Sequence, residues 1–421
     1  MANVETMVSP TAVADSAIAA LPCPEMRAQR WGISGPEFRD VLRTLALRYN
    51  KWDMNLQGVC RVLPESIVLS RSTHAHLVEV TEAFAVAVRR FEARTRRDPA
   101  VVAALGIDLK LMPFLDAESA HELAFCRADF FLTEDGRWVI SEFNEDVPGG
   151  FNEAVGVGET VGESALGGRV EGALKQSMVS AFDDCDGVGM MFATAFSEDL
   201  QHCSLLERWL HEAGHATVLG SPEQLEWRWG PRLAGQRVDG AFRFYPGEWL
   251  VLLPNANAWL RALPRLRLMN PPVRLLAQSK RSFGVWQTSH PLEPQDRHLC
   301  ERYLPRTDLF DPGQVERYRS EREQWVLKRA FGRMGDSVLI GALATPAEWD
   351  AALAFAGAHA QEFAMQERFR VRPLQFQGGP MYPTIGAYAV NGKFAGYYSR
   401  VAAQPFITHE AYYVATVVET A

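Results

Sequence analysis

From residue 127 to residue 144 the sequence reads RADFFLTEDGRWVISEFN. Runs rich in Val, Ile, Phe and Trp lie on both sides of the dipeptide Asp135-Gly136, which is the strongest short-range signal for a β-hairpin with a type I′ turn. With Asp135 and Gly136 as the two loop residues, Glu134 pairs with Arg137, and every earlier residue acquires a defined partner. The stretch therefore predicts a two-stranded hairpin with a specific register.

The predicted register places two carboxylates side by side. Asp129 faces Glu142 and Arg127 faces Asn144. Because side chains alternate between the two faces of a strand, these four residues lie on one surface of the hairpin. The same surface continues toward the turn through Phe131, Ile140, Thr133 and Trp138.

Opposed carboxylates require a positive charge nearby, because like charges that face each other destabilise a sheet. The carboxylates of Asp129 and Glu142 and the amide oxygen of Asn144 are hard ligands, suited to Mg²⁺ carried by a nucleotide. The guanidinium of Arg127 suits a phosphate or a developing acyl phosphate. The alternative is an ordinary exposed hairpin in which Arg127 neutralises one acid.

Length, composition and charge restrict the class of protein. The chain has 421 residues and 47% hydrophobic content, so we expect a large core distributed over two or three packed lobes. A net charge of −8 and a pI near 5.8 argue against nucleic-acid binding, which requires a basic face. No apolar run approaches the roughly 18 residues of a membrane span, so no membrane partner is expected. Six scattered cysteines, without a CxxC pair or a secretory signal, indicate a reducing cytoplasm.

Periodicity and turn residues divide the chain into five segments. Apolar residues at helical spacing from Pro36 to about Leu105 predict a helical N-terminal region. After the hairpin, Pro148-Gly149-Gly150 leads into a Gly-rich stretch suited to close approach of a ligand or to a plain connection. The predicted segments are a mobile tail (1–22), the helical region (23–118), the hairpin with its Gly-rich loop (119–182), a small α/β lobe (183–270) and a C-terminal lobe (271–421).

Two kinds of sheet are predicted after the Gly-rich loop. The alternation of strand 188–196, helix 197–213 and strand 216–219 is typical of a small parallel sheet. In the last third, Asn391-Gly392 gives a second type I′ turn signal between strand-like runs. We therefore expect a mixed α+β and α/β fold that ends in antiparallel sheet.

The C-terminal lobe also carries residues suited to phosphate. Lys328 follows a predicted strand and precedes the loop Gly332–Gly335, whose backbone N–H groups could close over phosphates, with Arg333 as an added donor. A lysine before a Gly-containing loop is common, so this motif on its own does not define a site.

Taken in order, these motifs resemble the circularly permuted ATP-grasp ligases, in particular the glutathionylspermidine synthases and their relatives. The resemblance covers roughly residues 120–421. The motifs that carry it are Arg127-Ala128-Asp129, Asp135-Gly136, the run from Ser141 to Gly150, Ser279-Lys280, Lys328, Arg333-Met334-Gly335, Gln366-Glu367, Ile385-Gly386, Gly392, Gly396, Arg400 and Ile407-Thr408.

The resemblance implies a role for each matching residue. Asp129, Glu142 and Asn144 look like the Mg²⁺ ligands. Arg127 looks like the group that stabilises the acyl phosphate, and Arg400 faces the bound acid or phosphate. The residues that the resemblance assigns to ATP are Lys280 and Lys328 at the phosphates, Gly332, Arg333 and Gly335 in the lid loop, and Gln366 or Glu367 near the adenine.

The resemblance further implies an ATP-dependent, ADP-forming ligase with ATP and Mg²⁺ as cofactors. Such an enzyme joins a peptide-like or amino-acid carboxylate to an amine, through an acyl phosphate. About 120 residues of predicted helical scaffold precede the hairpin in place of the amidase domain of some relatives, so we expect synthesis only. Arg329 and Met334 stand where the family usually has Pro and Glu, which leaves open a nucleotide-binding protein without turnover.

A second motif indicates a different enzyme class. His211-Glu212-Ala213-Gly214-His215 matches HExxH, in which two His one helical turn apart bind Zn²⁺ and the Glu acts as general base. This motif requires a continuous helix, yet Gly214 stands where the apolar helical period stops and glycine commonly follows a helix end. A zinc metallopeptidase is therefore the weaker alternative, and we expect His215 to point away from His211.

Overall fold

The computed structural model describes residues 26–117, 121–288, 292–332 and 338–420. The strands are β1 (Met26–Arg30), β2 (Asn55–Leu56), β3 (Val59–Cys60), β4 (Val62–Leu69), β5 (His121–Glu122), β6 (Phe125–Leu132), β7 (Trp138–Asn144), β8 (Gly187–Phe192), β9 (Ala216–Gly220), β10 (Leu225–Trp227), β11 (Pro231–Leu233), β12 (Gln236–Arg237), β13 (Gly240–Phe244), β14 (Arg267–Met269), β15 (Thr307–Leu309), β16 (Trp325–Arg329), β17 (Val338–Ile340), β18 (Phe363–Glu367), β19 (Leu374–Phe376), β20 (Gly379–Val390), β21 (Lys393–Ala402) and β22 (Tyr412–Val418).

The helices alternate with these strands along the chain. They are α1 (Gly35–Arg48), α2 (Arg71–Thr95), α3 (Pro99–Ala104), α4 (Met112–Asp116), α5 (Phe151–Thr160), α6 (Glu163–Leu166), α7 (Leu174–Ser180), α8 (Ser197–Glu212), α9 (Ala256–Ala262), α10 (Leu275–Gln278), α11 (Ser282–Thr288), α12 (Pro294–Tyr303), α13 (Val315–Ser320) and α14 (Pro346–Ala358). Within the described ranges, none of them combines the length and the apolar character that crossing a membrane requires.

A large mixed sheet forms the centre of the molecule. Its strand order is β1-β4-β22-β21-β20-β6-β7, with β19 paired to β20, and β4 and β22 form its parallel pair. Both faces of the sheet are covered, because successive side chains along its strands pack into two different apolar clusters. On β4, Ile67 and Leu69 join the cluster that contains α2, whereas Val68 joins the cluster that contains α1 and α5.

The N-terminal region contains strands as well as helices, so the predicted helical pattern from Pro36 to about Leu105 is confirmed for α1 and α2 and is wrong for residues 55–69. Helices α1 and α2 form where the apolar spacing of three and four residues predicts them, and the side chains of Ser34 and Ser70 cap their first turns. Between them, β4 enters the mixed sheet beside β22 from the other end of the chain. That long-range pairing leaves no local trace in the sequence.

Two smaller sheets border the large one in the frame, and a three-stranded sheet of β10, β11 and β12 and the pair β2–β3 are also present. The parallel sheet has the order β5-β14-β13-β8-β9, and the predicted succession of strand, helix and strand is confirmed by β8, α8 and β9. An antiparallel sheet in the order β15-β18-β16-β17 lies in the C-terminal third. The predicted α+β and α/β mixture is therefore confirmed at the level of secondary structure and sheet type.

The hairpin β6–β7 has the predicted register at its polar end and a different one near its turn. Asp129 pairs with Glu142 and Arg127 with Asn144, as predicted. The turn, however, is a three-residue loop, since the N–H of Thr133 bonds the carbonyl of Arg137 and Gly136 has a φ of 84°. The prediction of a two-residue type I′ turn at Asp135-Gly136 is wrong. The second predicted type I′ turn, at Asn391-Gly392, is confirmed, because both residues have positive φ.

A β-bulge between the two ends of the hairpin reconciles both registers. The bulge inserts Ser141, so Phe130 pairs with Ile140 while Asp129 still pairs with Glu142. As a result Ile140 and Trp138 enter the apolar core instead of continuing the polar surface as predicted. Burial of these two large side chains favours the bulged register over the simple one.

A buried ion pair fastens the end of the hairpin to the parallel sheet, and it yields a stability prediction. Arg243 on β13 donates to Asp146 at 2.5 Å, and the N–H of Gly247 donates to the other Asp146 oxygen at 2.9 Å. We expect Arg243→Met to lower the free energy of unfolding by about 3–5 kcal/mol, because it leaves the buried carboxylate without its cation. Urea unfolding measures the change.

The matched control is Arg228→Met. Arg228 pairs with Glu226 at 2.8 Å on the surface, with 71% of its side chain exposed. This change should cost about 0.5 kcal/mol or less, because solvent screens an exposed pair. Equal losses in the two variants would contradict a special role for the Asp146–Arg243 pair.

Candidate functional site

A cavity of about 740 Å³ opens between the three sheets. One wall is the hairpin β6–β7, with β21 beside it. The antiparallel strands β16 and β18 form the second wall, and the first turns of α8 with the loop after β13 form the third. The cavity therefore brings together elements from the whole described chain.

Arg127 and Asp129 form a buried ion pair at the floor of the cavity. Arg127 Nε and Nη2 donate to the two oxygens of Asp129 at 2.6 and 3.1 Å. Both side chains are almost fully buried, at 5% and 2% exposure. Burial acts to lower the pKa of Arg127, but the charge of Asp129 outweighs it and raises the pKa above its usual range. The Arg127 guanidinium is therefore permanently charged and held in a fixed orientation.

Glu142 lies between two lysines that come from distant parts of the chain. Lys280 Nζ is 2.7 Å from Glu142 Oε2, and Lys328 Nζ donates to the carbonyl of the bulged Ser141 at 3.0 Å. Burial acts to raise the pKa of Glu142, but the charges of Lys280, Lys328 and Arg400 lower it to about 2. Burial and the charge of Lys280 together lower the pKa of Lys328 to about 8, against the opposing effect of Glu142.

Arg400 completes the cluster from β21. Its Nη2 donates to Asp129 Oδ2 at 3.2 Å, and its guanidinium lies 5.5 Å from the centre of the Tyr398 ring. Its Nε is buried and has no hydrogen-bond partner among the described residues. Arg400 thus binds the carboxylate of Asp129 and still has one N–H donor, at Nε, without a partner among the described residues.

Side-chain cations already neutralise the opposed carboxylates, so the hairpin does not by itself require a metal. Around Asp129 and Glu142, the four cations Arg127, Arg400, Lys280 and Lys328 leave an excess of positive charge that favours an anionic ligand.

The donor set nevertheless fits a hard metal ion that brings its own ligands. Asn144 Nδ2 donates to Asp129 Oδ2 at 3.2 Å and to Glu142 Oε1 at 3.4 Å, so the three predicted ligand side chains lie together, and the Asn144 amide has to turn over to direct its oxygen to a metal. Within the part of the chain that the structure describes, no group of three or more His, Cys, Asp or Glu side chains could hold a metal. A magnesium ion at this point therefore needs further oxygen ligands, such as those of a phosphate.

The predicted nucleotide residues divide into three groups. Gln366 is buried in the cavity wall on β18, and Gly332 also lines the cavity. Glu367, the next residue on β18, is exposed and does not line the cavity, so of the two residues predicted near the adenine the cavity contains Gln366. Arg333 and Gly335 lie outside the described residues.

The first departure from the family pattern does not obstruct the cavity. Arg329 lies on the exposed side of β16 and pairs with Glu362 at 2.6 Å, whereas its neighbour Lys328 lines the cavity. The alternation of side chains along a strand explains this separation. The second departure, Met334, lies outside the described residues.

The HExxH sequence does not form a zinc site. Helix α8 ends at Glu212, and Gly214 has a φ of 96° just beyond it. His215 therefore leaves the helix, and its Nδ1 lies 3.4 Å from the carbonyl oxygen of Cys185. The zinc metallopeptidase alternative is wrong, for the reason that Gly214 suggested in the sequence.

The opposite end of the cavity contains charged residues that the sequence did not single out. Lys51 Nζ bridges Asp53 at 2.8 Å and Glu153 at 3.1 Å. Glu153 is 1% exposed, and its Oε2 has no hydrogen-bond partner among the described residues. Burial, the largest effect, raises the pKa of Glu153, with Lys51 opposing it. The only sequence signal was the Pro148-Gly149-Gly150 break just before α5, which carries Glu153.

The lowered pKa of Lys328 predicts how anion affinity depends on pH. As the pH rises through about 8, Lys328 loses its charge in the ligand-free protein, whereas a bound phosphate would keep it protonated. We expect the affinity for inorganic tripolyphosphate, relative to that of Lys328→Arg, to fall about tenfold between pH 7 and pH 9. Isothermal titration calorimetry measures both proteins.

The arginine variant is the control because it stays charged over this range and shares the titration of the ligand. A constant affinity ratio between the two proteins would show that Lys328 does not contact the anion.

Comparison with known proteins identifies the family of the chain. The family profile described as glutathionylspermidine synthase preATP-grasp matches residues 58–419. No curated protein sequence matches the chain significantly. A glutathione synthetase-like effector from Globodera pallida, in its apo form, is similar in structure, with a TM-score of 0.58 and 12% identity, over 92% of this chain and 98% of that one. At this identity the similarity shows the fold alone.

A second solved structure is less similar. It is a protein assigned as a gamma-glutamylcysteine synthetase from Methylobacillus flagellatus, with a TM-score of 0.44 and 12% identity, over 75% of this chain and 85% of that one. The family assignment depends on the profile, which covers most of the sequence and includes the hairpin, the lysines and Arg400. The chain belongs to the glutathionylspermidine synthase preATP-grasp family of ATP-grasp-type ligases.

Proposed function

We propose that the protein is an ATP-dependent, ADP-forming ligase that joins a carboxylic acid to an amine through an acyl phosphate. The observation that carries the proposal is the convergence of Arg127, Arg400, Lys280 and Lys328 on the Asp129–Glu142 pair in one cavity. Phosphoryl transfer needs this combination of fixed positive charge and a hard-metal site.

The basic end of the cavity is proposed to bind the triphosphate of ATP. Lys280 and Lys328 would contact its phosphates, and the lid loop of Gly332, Arg333 and Gly335 would cover them. Mg²⁺ held by Asp129, Glu142 and Asn144 would neutralise phosphate charge during transfer. The apolar side chains of Val326, Val338 and Ile340, together with Gln366 on β18, line a wall suited to adenine.

Arg127 and Arg400 are proposed to hold the acid and the transferred phosphoryl group. An oxygen of the substrate carboxylate attacks the γ-phosphorus, the bond to the β-phosphate oxygen breaks, and ADP leaves. The buried guanidinium of Arg127 is already oriented by Asp129, so it stabilises the developing charge without reorganising.

The acidic end of the cavity is proposed to bind the amine. Asp53, Glu153 and Glu198 line it together with the rings of Phe196 and Trp249. Carboxylates and aromatic faces both attract an ammonium group, which suits polyamines and basic amino compounds. The unpartnered oxygen of Glu153 accepts one proton from the ammonium group, the neutral amine nitrogen then attacks the acyl carbon, and phosphate leaves with the second proton.

The domain boundaries and the permuted order belong to the same proposal. The hairpin segment (119–182) precedes the α/β lobe (183–270) and the ATP-binding lobe (271–421), which is the order that a circularly permuted ATP-grasp chain requires. The described cysteines are all free, which supports a reducing cytoplasm as the location.

ADP release with a panel of acids and amines tests the proposal. We expect release that requires both an acid and an amine, together with a product that carries the mass of the new amide. Binding of Mg·ATP without release for any pair would favour a nucleotide-binding protein without turnover.

Substitutions in the hairpin test the proposed metal ligands. We expect Asp129→Asn and Glu142→Gln each to lower turnover by at least about a hundredfold, because each removes a charged ligand while keeping the shape of the side chain. Circular dichroism and the unfolding midpoint check that the fold is retained. Asp135→Asn, at the exposed tip of the same hairpin, is the control and should keep wild-type turnover.

Glu153→Gln tests the acidic end independently. The Michaelis constant for a cationic amine should rise about tenfold or more, because the variant loses a buried charge, while that for ATP changes less than twofold. The control is Glu159→Gln on the same helix, whose carboxylate accepts from Tyr49 at 2.7 Å outside the cavity. An equal rise in the constant for ATP would remove Glu153 from the amine site.

A further inference from the structure

The imidazole of His202 lies in the cavity wall between aromatic rings. It stacks on Phe244 at 4.6 Å between ring centres, and it meets Phe151 edge to face at 4.8 Å. The ring is 7% exposed, yet both of its nitrogens are within hydrogen-bond distance of backbone atoms. A buried histidine whose two hydrogen-bond partners among the described residues are both backbone atoms is suited to holding backbone in place.

The two partners determine the form of the ring. Nδ1 lies 2.7 Å from the carbonyl oxygen of Glu198, which only accepts, so Nδ1 carries the proton. Nε2 lies 2.9 Å from the N–H of Gly150, which only donates, so Nε2 accepts. This neutral form is the one that satisfies both bonds.

The peptide that His202 holds also holds Arg127. The carbonyl of Gly149 accepts from Arg127 Nη1 at 2.7 Å and from the Tyr388 hydroxyl at 2.6 Å. Gly150 is required sterically, because a Cβ there would lie 2.6 Å from the Tyr398 ring, whereas a Cβ on Gly149 would make a tight contact of 3.2 Å with His202 Nε2. His202, the Gly149–Gly150 peptide and Arg127 are thus linked by consecutive hydrogen bonds.

We propose that His202 is a positioning residue for Arg127, which it orients through the Gly149–Gly150 peptide toward the transferred phosphoryl group. The identity of that group rests on the proposed function. The link between the two side chains does not depend on it. Arg127 has Asp129 on its other side, so the peptide carbonyl and the carboxylate together fix the plane of the guanidinium.

The electrostatic surroundings keep His202 able to accept. Burial, Lys51 and Arg127 lower its pKa to about 4, against the raising effects of the Glu198 carbonyl and Asp53. The ring therefore stays neutral under ordinary assay conditions, and the bond from Gly150 is available whenever the enzyme works.

A double-mutant cycle on anion binding tests the link without a substrate. Inorganic tripolyphosphate is the probe, and the variants are His202→Leu, Arg127→Met and the two combined. We expect His202→Leu to weaken binding about tenfold in the wild-type background and less than twofold when Arg127 is already methionine. Equal losses in both backgrounds would show that His202 does not act through Arg127 and would overturn the proposal.

Two further variants separate positioning from general support of the fold. His202→Gln keeps a side-chain oxygen that can accept from Gly150, so its binding should stay within threefold of wild type. His211→Leu, at the exposed end of the same helix, should not change binding at all. If His202→Gln weakened binding as much as His202→Leu while the unfolding midpoints stayed unchanged, the role of residue 202 as acceptor for the Gly150 N–H would be contradicted.

Nitrogen NMR and turnover distinguish the failure of this inference from failure of the proposed function. In wild type we expect the ¹⁵N shift of a non-protonated Nε2 at neutral pH, and a protonated Nε2 would overturn the inference directly. With an active acid–amine pair, His202→Leu should lower kcat about tenfold and change KM for ATP less than twofold. A non-additive binding cycle without turnover for any pair would reject the ligase and leave the link intact.

Discussion

The buried ion pair between Arg127 and Asp129 constrains the rest of the site. Strand β6 lies between β20 and β7 in the central sheet, and on one of its faces a core residue, Phe125, is followed by these two charges. Charges that are removed from water need partners, so neighbouring elements must supply them. Gly149, Asn144 and Arg400 do so from three different segments. Gly386 on β20 has no side chain because a Cβ there would lie 2.6 Å from Arg127 Cδ.

The bulge at Ser141 resolves a conflict between core packing and chemistry. Without the bulge, the regular alternation of side chains that directs Glu142 and Asn144 into the cavity would direct Ile140 and Trp138 there as well. With it, both large apolar side chains enter the core, and the Ser141 carbonyl accepts from Lys328. Bulges are frequent beside active sites because they redirect side chains in this way.

Opposite electrostatic character at the two ends of one cavity gives the proposed ligase its physical basis. The phosphate end holds an excess of cations, and the other end holds buried carboxylates and aromatic rings. A polyanion and a cationic amine would therefore be directed to different ends by charge alone. Arg127 lies between the two ends of the cavity, where the substrate carboxylate would react.

The sequence by itself determined the local pairings. Asp129 opposite Glu142, Asn391-Gly392 as a type I′ turn and the end of α8 before Gly214 all follow from strand alternation or glycine conformation. The order of the motifs indicates the family, and through that resemblance it predicts Lys280, Lys328, Gln366 and Arg400 as site residues. The short-range rules failed where core burial competed with them, at the turn beside Asp135.

Only the tertiary structure decided which charges meet. Lys280 beside Glu142, Lys51 beside Glu153, and His202 beside Gly150 are contacts between distant segments, and no periodicity encodes them. The same holds for β4, whose parallel partner β22 lies at the other end of the chain. Local sequence fixes the direction of a side chain relative to its own backbone, whereas the partner at the end of that side chain depends on how whole elements pack.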